Sequence, residues 1–233
     1  MNPDDDAAFE SASAAVGASS PGPIVRSSRF DAARDLPDSV LRHLLEQASL
    51  APSPFDLQPW RFLVVREKRN RERLRGCAFN LPDLTEAAVV VIVLSYHHPH
   101  RSHLSVMLEL QEHEGRLTPE KAAEIRGRVS AAMKHRTRPA LWAMRWGMVA
   151  STFLVQAAKE VGIASILVDA FDPRAVRDVF GIPNDHTIGA LVALGYPAPE
   201  IKPPGPRLNL DEICYGEHFG QPWRPEEASQ NPG

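Results

Sequence analysis

The stretch that decides the fold is Ala87–Ser95, with the sequence AAVVVIVLS. Successive side chains of a β-strand point to opposite faces, so a run that is apolar at nearly every position predicts a strand buried on both faces. Arg61–Arg66 (RFLVVR) and Thr187–Tyr196 are predicted as further strands, and Ile163–Ala170 as a short one. The sequence therefore predicts a sheet whose central strand is covered on each side.

Helices are predicted between these strands. Pro37–Leu50 carries apolar residues at the 3.6-residue period and has a proline suited to the first turn. Thr118–His135 begins with an N-cap threonine, a proline and an acid, which together favour a helix start. Residues 142–161 are apolar on nearly all faces, which indicates a buried helix, and Pro173–Phe180 is predicted as a short helix. The mixture predicts an α+β fold, an α/β sandwich.

Composition limits the possible partners and locations. The 233 residues include 26 Lys+Arg and 29 Asp+Glu, a net charge of −3, which argues against a general nucleic-acid-binding surface. The first residues, MNPDDDAAFE, are acidic where a signal peptide is basic, and the run Ala87–Leu94 is far shorter than the ~20 residues that span a bilayer. We therefore expect a cytoplasmic protein without nucleic-acid or membrane partners.

Segment composition suggests how the chain is divided. Residues 1–23 are rich in Ala, Ser, Gly and Pro without an apolar period and are predicted to be a flexible tail, as are residues 221–233. The segment of about 97–140 is polar and carries His97, His98, His100 and His103. We predict no metal site, because the cluster lacks partner cysteines and a histidine pair one helical turn apart.

Two segments contain candidate binding groups. Arg26-Ser27-Ser28-Arg29 offers two guanidinium groups beside hydroxyls, which suits a phosphate or a similar anion, although a solvated linker has the same composition. Residues 51–60, APSPFDLQPW, form a proline-rich connection between a helix and a strand, which is either an ordinary turn or a source of backbone amides and polar side chains. No glycine-rich dinucleotide loop, P-loop or nucleophile elbow is present in the sequence.

The order of several short motifs resembles the nitroreductase family of flavoproteins. The motifs are RSSR at 26–29, APSPFDLQPW at 51–60, LVDAF at 167–171, GIP at 181–183, GYP at 195–197 and RLNL at 207–210. The resemblance implies a mainly antiparallel sheet flanked by helices, within one FMN-binding domain at 24–220. It also implies a homodimer with FMN at the interface, exchanged C-terminal arms and a helical lid at about 97–140.

The resemblance also implies the residues that bind FMN. The first motif and the C-terminal arginine would contact the cofactor and hold its phosphate, while the proline-rich segment would line it, partly across the dimer interface. The backbone after the short strand would face flavin N5. The implied residues are Arg26, Ser27, Arg29, Pro52, Ser53, Asp56, Gln58, Leu167, Val168, Asp169, Ala170 and Arg207. No catalytic side chain is assigned.

The chain departs from the family pattern at three places, one of which is Gly205-Pro206, where some members have a second basic residue before the arginine. Asp56 stands where the family usually has Asn, and a carboxylate only accepts hydrogen bonds. It could accept from flavin N3–H while its charge disfavours the reduced flavin, or it could be turned away from the cofactor. Asp169-Ala170 replaces Glu-Gly, and alanine adopts positive φ only at a cost.

The resemblance implies an FMN-dependent oxidoreductase that passes hydride from NADH or NADPH through flavin N5 to an electron-poor acceptor such as a nitroaromatic or a quinone. His97, His98, Trp142 and Trp146 are candidate pocket residues, with helix packing as the alternative for the tryptophans. Other possibilities are a flavin-cleaving cobalamin lower-ligand synthase, a reductive dehalogenase or a flavin-binding protein without turnover. The absence of tyrosine between Tyr96 and Tyr196 argues against the dehalogenase.

Overall fold

The computed structural model describes residues 30–199 and 206–223 of the chain. The predicted tail at 1–23 and three predicted site residues, Arg26, Ser27 and Arg29, lie outside the described residues. The chain divides into two compact units, residues 1–202 and residues 203–233. The predicted boundaries at residues 24 and 220 remain predictions.

One antiparallel sheet forms the centre of the first unit. Its strands are β1 (Trp60–Val65), β2 (Val89–Tyr96), β3 (Ala164–Val168) and β4 (His186–Gly195). The strand order is β1-β2-β4-β3, and every neighbouring pair is antiparallel. The doubly apolar strand is therefore internal, with β1 and β4 as its neighbours, as the sequence predicted.

The odd-numbered side chains of β2 face a layer of two helices. Val89, Val91 and Val93 pack in one buried cluster with apolar residues of α1 (Asp38–Ser49) and of the 22-residue helix α6 (Pro139–Glu160). Helix α6 approaches the sheet very closely, because a Cβ added at its Gly147 would overlap Ser95 Oγ of β2. A side chain at this position would force the Ser95 hydroxyl to move, whereas glycine leaves room for it.

The even-numbered side chains of β2 face a second helical layer. Val90, Ile92 and Leu94 pack with buried residues of α2 (Lys68–Cys77), α3 (Asp83–Glu86) and α7 (Pro173–Phe180). Sequence analysis predicted α7 but neither α2 nor α3. Helix α2 (KRNRERLRGC) buries only Leu74 and Cys77, so its apolar stripe is too narrow to produce a helical period. The layers α, β and α confirm the predicted sandwich.

The polar segment after β2 folds into two helices, α4 (His103–His113) and α5 (Pro119–Lys134). They share an apolar cluster with Leu57 and Trp142, so the segment packs on the N-terminal part of α6. Helix α5 begins where the sequence predicted, and the Thr118 hydroxyl accepts a hydrogen bond from the Lys121 backbone amide. Helix α4 was not predicted, because it buries only Leu104 and Leu108.

The second unit contains α8 (Leu210–Ile213), which begins with a capping box between Asn209 and Glu212. A β-bridge joins Tyr215 to Pro222 within the same unit. Large apolar side chains of this short segment are exposed, namely Leu208, Leu210, Ile213 and Phe219. The expected exchange of C-terminal arms between subunits remains a prediction.

No helix in the described part of the chain combines the length and the apolar character that crossing a membrane requires.

Replacing Leu44 by alanine tests the packing of α1 against the sheet. The Leu44 side chain is fully buried in the cluster that includes Val91, so Leu44→Ala should lower the free energy of unfolding by about 2–5 kcal/mol. Glu46→Ala is the control on the same helix, because its ion pair with Arg42 is exposed and should contribute less than about 1 kcal/mol. Urea unfolding measures both, and a similar loss in the two variants would contradict the packing described.

Candidate functional site

The connection between α1 and β1 contains a strained turn. Three residues that are not glycine adopt positive φ angles: Phe55 at 57°, Asp56 at 51° and Gln58 at 44°. Such conformations cost about 1–3 kcal/mol each and persist only where the surroundings enforce them. Residues 53–58, called here the strained turn, are therefore a candidate functional element on structural grounds alone.

Hydrogen bonds inside the strained turn hold its conformation. The Asp56 amide donates to the Ser53 carbonyl at 3.0 Å, and the Gln58 amide donates to the Ser53 hydroxyl at 2.9 Å. Leu57 is fully buried between these two donors and anchors the turn in the apolar cluster shared by α4, α5 and α6. The predicted residue Ser53 thus shapes the turn through its hydroxyl, whereas Pro52 is exposed beside it.

Arg61 and His103 connect the strained turn to α4. The guanidinium of Arg61 donates to the Gln58 carbonyl at 3.3 Å, to the Trp60 carbonyl and to His103 Nε2. The other ring nitrogen, His103 Nδ1, lies 3.3 Å from the Leu57 carbonyl. A neutral imidazole protonated at Nδ1 satisfies both contacts, because it accepts at Nε2 and donates at Nδ1.

The surroundings of His103 favour this neutral form. Burial lowers the pKa of His103, and the adjacent Arg61 guanidinium lowers the pKa further, while the Leu57 carbonyl acts in the opposite direction. Burial also lowers the pKa of Arg61, although arginine keeps its charge in proteins. At neutral pH the pair is therefore a cation that donates to a neutral imidazole.

A cavity of about 340 Å³ lies beside the strained turn, and it is called here the turn cavity. Its size is in the range of small-molecule sites. Its lining combines a carboxylate, an amide and a guanidinium with apolar and aromatic side chains. The lining residues are Asp56, Gln58, Trp60, Arg61, His103, Val106 and Met107.

Asp56 lies between the turn cavity and a second cavity of about 290 Å³ that is bordered by α4 and α5. Its side chain is exposed and makes no hydrogen bond or ion pair within the described residues. Of the two orientations that the sequence left open, the structure has Asp56 bordering both cavities. The carboxylate is therefore available to accept a hydrogen bond from a bound molecule.

The second set of predicted residues follows the end of β3. Leu167 is 39% exposed and Val168 is buried, while Asp169 and Ala170 are exposed. Neither Asp169 nor Ala170 has a positive φ, so the replacement of glycine by alanine costs no backbone strain here. The next turn is fixed by Asp172, whose carboxylate accepts hydrogen bonds from two amides at the start of α7.

The two predicted sets lie at opposite edges of the sheet. The strained turn precedes β1, which is one edge strand, and Asp169 follows β3, which is the other. Neighbouring strands alternate in direction, and the register places Val168 at the end of β3 level with Leu63 in the middle of β1. Three strand spacings of about 4.8 Å each separate these two edge strands. Neither Asp169 nor Ala170 borders the turn cavity.

Arg207 is exposed and belongs to the second unit. Among the described residues its side chain has no hydrogen-bond or ion-pair partner, so its predicted contact with the FMN phosphate remains a prediction.

The histidines predicted to be near a pocket have mixed positions. His97 Nε2 lies 2.8 Å from the Thr187 hydroxyl, and His186 of β4 stacks on Tyr96, so this part of the cluster joins the ends of β2 and β4. His98 borders a cavity near the end of α5. Within the described residues no group of three His, Cys, Asp or Glu side chains could hold a metal ion.

The two tryptophans of α6 belong to its packed core. Trp142 is 6% exposed and lies in the apolar cluster that contains Leu57, and Trp146 packs near Trp60. Trp142 also borders a cavity beside the start of α6. Packing, the alternative given for both residues, therefore accounts for most of their surface.

Besides Trp60, which lies in the quoted motif without being a predicted binding residue, sequence reasoning missed four residues of the turn cavity, namely Arg61, His103, Val106 and Met107. Arg61 was assigned only to a strand, and the other three lie on or at the start of the unpredicted helix α4. One signal was available, because a charged residue at the start of an otherwise apolar strand needs a partner when it is partly buried.

Comparisons with known proteins show the family and the fold of this chain. A sequence model described as "Nitroreductase family" matches residues 25–196. A Thermus thermophilus protein named NADH dehydrogenase is 35% identical over 76% of this chain and 85% of its own length. A Helicobacter pylori protein named oxygen-insensitive NADPH nitroreductase is 24% identical over 80% of this chain and 90% of its own length.

The fold is also found among solved structures. The crystal structure of an Exiguobacterium sibiricum protein in complex with FMN has a TM-score of 0.76 to this chain at 19% identity. The match covers 82% of this chain and 92% of that protein. At this identity the likeness establishes the shared fold.

The contact between Arg61 and His103 makes stability depend on pH. The pKa of His103 is lower in the folded state than its ordinary 6.5, so this contribution is complete above pH 6.5 and is lost as the pH falls through the folded-state pKa. The drop in Tm between about pH 7.5 and about pH 5.5 should therefore be smaller in His103→Gln than in the unchanged protein.

His113→Gln is the matched control, because His113 is an exposed residue at the other end of α4. It should show the full drop in Tm. An identical drop in His103→Gln would contradict the assigned role of the pair.

Proposed function

This chain belongs to the nitroreductase family, and from that premise we propose that it is an FMN-dependent oxidoreductase using NADH or NADPH to reduce an electron-poor small molecule. Nitroaromatics and quinones are the proposed acceptor classes. The strained turn carries the proposal, because three non-glycine residues with positive φ hold polar groups at the mouth of a cavity of small-molecule size.

The donor and acceptor groups at the turn cavity suit a flavin ring. Asp56 supplies a free carboxylate that can accept from a ring N–H, and the Gln58 amide can both donate and accept. Trp60, Val106 and Met107 supply the apolar surface that an aromatic ring system requires. We therefore assign Pro52, Ser53, Asp56 and Gln58 to the cofactor site, with Ser53 acting through the turn that its hydroxyl stabilises.

The flavin phosphate needs cations that the turn cavity does not supply by itself. We assign this role to Arg26 and Arg29 with Ser27, which lie outside the described residues, and to Arg207, which is exposed without an ion-pair partner among the residues described. A guanidinium binds phosphate through two parallel hydrogen bonds, so arginine suits this position better than lysine.

A second copy of this chain would complete the site. One chain carries the strained turn at one sheet edge and the Leu167–Ala170 segment at the other. We propose a homodimer in which the turn of one subunit meets the β3 end of its partner. The exposed apolar side chains Phe55, Val64 and Leu167 support this, because each would otherwise remain in contact with water.

FMN would supply the redox chemistry, since its N5 accepts a hydride from a nicotinamide and passes it to the acceptor. The protein's part is to bind and orient. The strained turn fixes Asp56 and Gln58, and Arg61 with His103 fixes the turn. The exposed backbone after β3 is assigned to the N5 side, and the cytoplasmic location expected from the acidic first residues remains a prediction.

Purified protein tests the proposal directly. We expect a flavin absorption spectrum, bleaching of that spectrum by NADH or NADPH without oxygen, and recovery on addition of menadione or nitrofurazone. A protein that stays colourless when saturated with FMN would contradict the proposal. Bound FMN that neither nicotinamide can bleach would instead indicate a flavin-binding protein without turnover.

The same preparation tests the arginine assignments. Arg29→Ala and Arg207→Ala should each weaken FMN binding by about tenfold or more, because charge-assisted hydrogen bonds to phosphate are lost. Arg69→Ala is the control, since Arg69 is exposed on α2. Fluorescence titration with FMN measures the affinity, and unchanged affinity in both test variants would remove these residues from the site.

Asp56→Asn tests the carboxylate at the turn cavity. A negative charge disfavours a reduced flavin that is itself anionic, so its removal should raise the flavin reduction potential. We expect a rise of about 30 mV or more, which corresponds to roughly 1.4 kcal/mol for a two-electron couple. Asp178→Asn on α7 is the matched control and should leave the potential unchanged. A potential that is equal in all three proteins would mean that Asp56 does not face the flavin.

A further inference from the structure

The corner between α5 and α6 has an unusual charge distribution. No Asp or Glu occurs between Glu124 and Glu160 in the sequence, although the whole chain carries a net charge of −3. Within this acid-free stretch, Lys134, Arg136, Arg138 and Arg145 lie close together in sequence around the corner. The local excess of positive charge is therefore opposite in sign to the charge of the protein.

Two adjacent cavities open at this corner, with volumes of about 410 Å³ and about 380 Å³. Arg136 borders both, and Arg101 and Lys134 border the first, while Arg138 and Arg145 border the second. No carboxylate is part of either lining. The two cavities with these five cationic side chains are called here the basic groove.

The cations of the basic groove lack anionic partners. Throughout residues 30–199 and 206–223, none of the five has a carboxylate within ion-pair distance. Arg136 lies over the Trp142 ring, 4.9 Å from its centroid, and its buried Nε has no hydrogen-bond acceptor. A buried donor without an acceptor is costly in free energy. A bound anion would supply the missing acceptor for Arg136 Nε and neutralise the unpaired cations.

His100 is a further polar side chain of the groove, and its pKa is lowered. Its buried Nδ1 has no partner, and burial followed by the charges of Arg101 and His98 lowers its pKa. The imidazole is therefore neutral at neutral pH and can donate or accept beside the permanent cations. A ligand with several phosphate oxygens would satisfy these donors together.

One apolar cluster links the basic groove to the candidate cofactor site. Trp142, which borders the groove, packs in one apolar cluster with Leu57 of the strained turn and Leu104 of α4. His103, the neighbour of Leu104, lines the turn cavity. The groove and the turn cavity are thus connected through one cluster of packed side chains.

We propose that the basic groove binds the 2′-phosphorylated adenosine of NADPH and makes NADPH the preferred reductant. This inference rests on the proposed function, which requires a reduced nicotinamide dinucleotide. Arginine beside the adenosine ribose is the usual means of accommodating a 2′-phosphate, and Arg138 and Arg145 are the exposed guanidinium groups available for it. The guanidinium plane of Arg136, held over Trp142, offers a stacking surface for adenine. The volume of each cavity suits a small molecule, and the overall negative charge opposes a nucleic-acid ligand.

Direct binding to the FMN-loaded protein tests the proposal without any turnover. In calorimetric titrations, adenosine 2′,5′-bisphosphate should bind saturably and more tightly than adenosine 5′-monophosphate. Arg138→Ala and Arg145→Ala should each weaken its binding by about tenfold or more. Arg126→Ala is the matched control, because Arg126 is an exposed residue of α5 outside both linings. Circular dichroism and FMN content establish that each variant is folded.

Kinetics separate this inference from the proposed function. In the two groove variants the KM for NADPH should rise by about tenfold, while the KM for NADH and the kcat with either nucleotide stay within about twofold. Absence of saturable binding by the bisphosphate, or equal binding by all variants, would overturn the inference even if NADH reduces the flavin.

Two further outcomes are informative. Binding of inorganic pyrophosphate without binding of the adenosine bisphosphate would assign the groove to another phosphorylated ligand and would also overturn the inference. Arginine-dependent binding of the bisphosphate in a protein whose flavin no nicotinamide reduces would support the groove assignment while the proposed function fails.

Discussion

Strand β2 must be buried on both faces, and the rest of the architecture follows from this constraint. Its side chains are apolar in both alternating sets, so a single helical layer would leave one set in water. Two helical layers cover it, and β1 and β4 satisfy its backbone hydrogen bonds on both sides. Gly147 then lets α6 contact Ser95 at the end of the strand. Helix α6 in turn packs against α4, which borders the turn cavity.

The strained turn depends on this frame. Its unfavourable φ angles are maintained by Leu57, which is buried in the α4–α5–α6 cluster. They are also maintained by Arg61, whose guanidinium donates hydrogen bonds to the carbonyls of Gln58 and Trp60. Leu57 lies inside the motif at 51–60 without being one of its predicted binding residues, and Arg61 directly follows that motif. Packing around the turn thus offsets the strain of the positive φ angles that present Asp56 and Gln58 to a ligand. Such an arrangement is expected where a ligand binds to a preformed site.

The sequence predicted the elements that have strong periodicity and missed those that do not. The four strands, the helices α1, α6 and α7 and the N-terminal cap of α5 follow from residue patterns, and their predicted positions agree with the structure to within a few residues. Helices α2, α3 and α4 were missed, and each buries two residues or fewer, although α7 was predicted with only Val176 buried. The site was predicted only where a contiguous motif carries it. Arg61 and His103 lie 42 residues apart, and no local pattern pairs residues at that distance.

The predicted residues are divided between opposite sheet edges, which is the basis of the proposal that a second subunit completes the site. Edge strands leave backbone groups unpaired and benefit from cover by another element or another chain. In a two-fold dimer each contact occurs twice, so pairing the turn edge of one subunit with the β3 edge of the other creates two equal sites from two incomplete halves. In the proposed dimer the flavin would contact both subunits and bind the assembled state more tightly than the separated one, so cofactor binding and association would stabilise each other. The strained turn is already formed within a single chain, so the proposed association would not have to pay for ordering it.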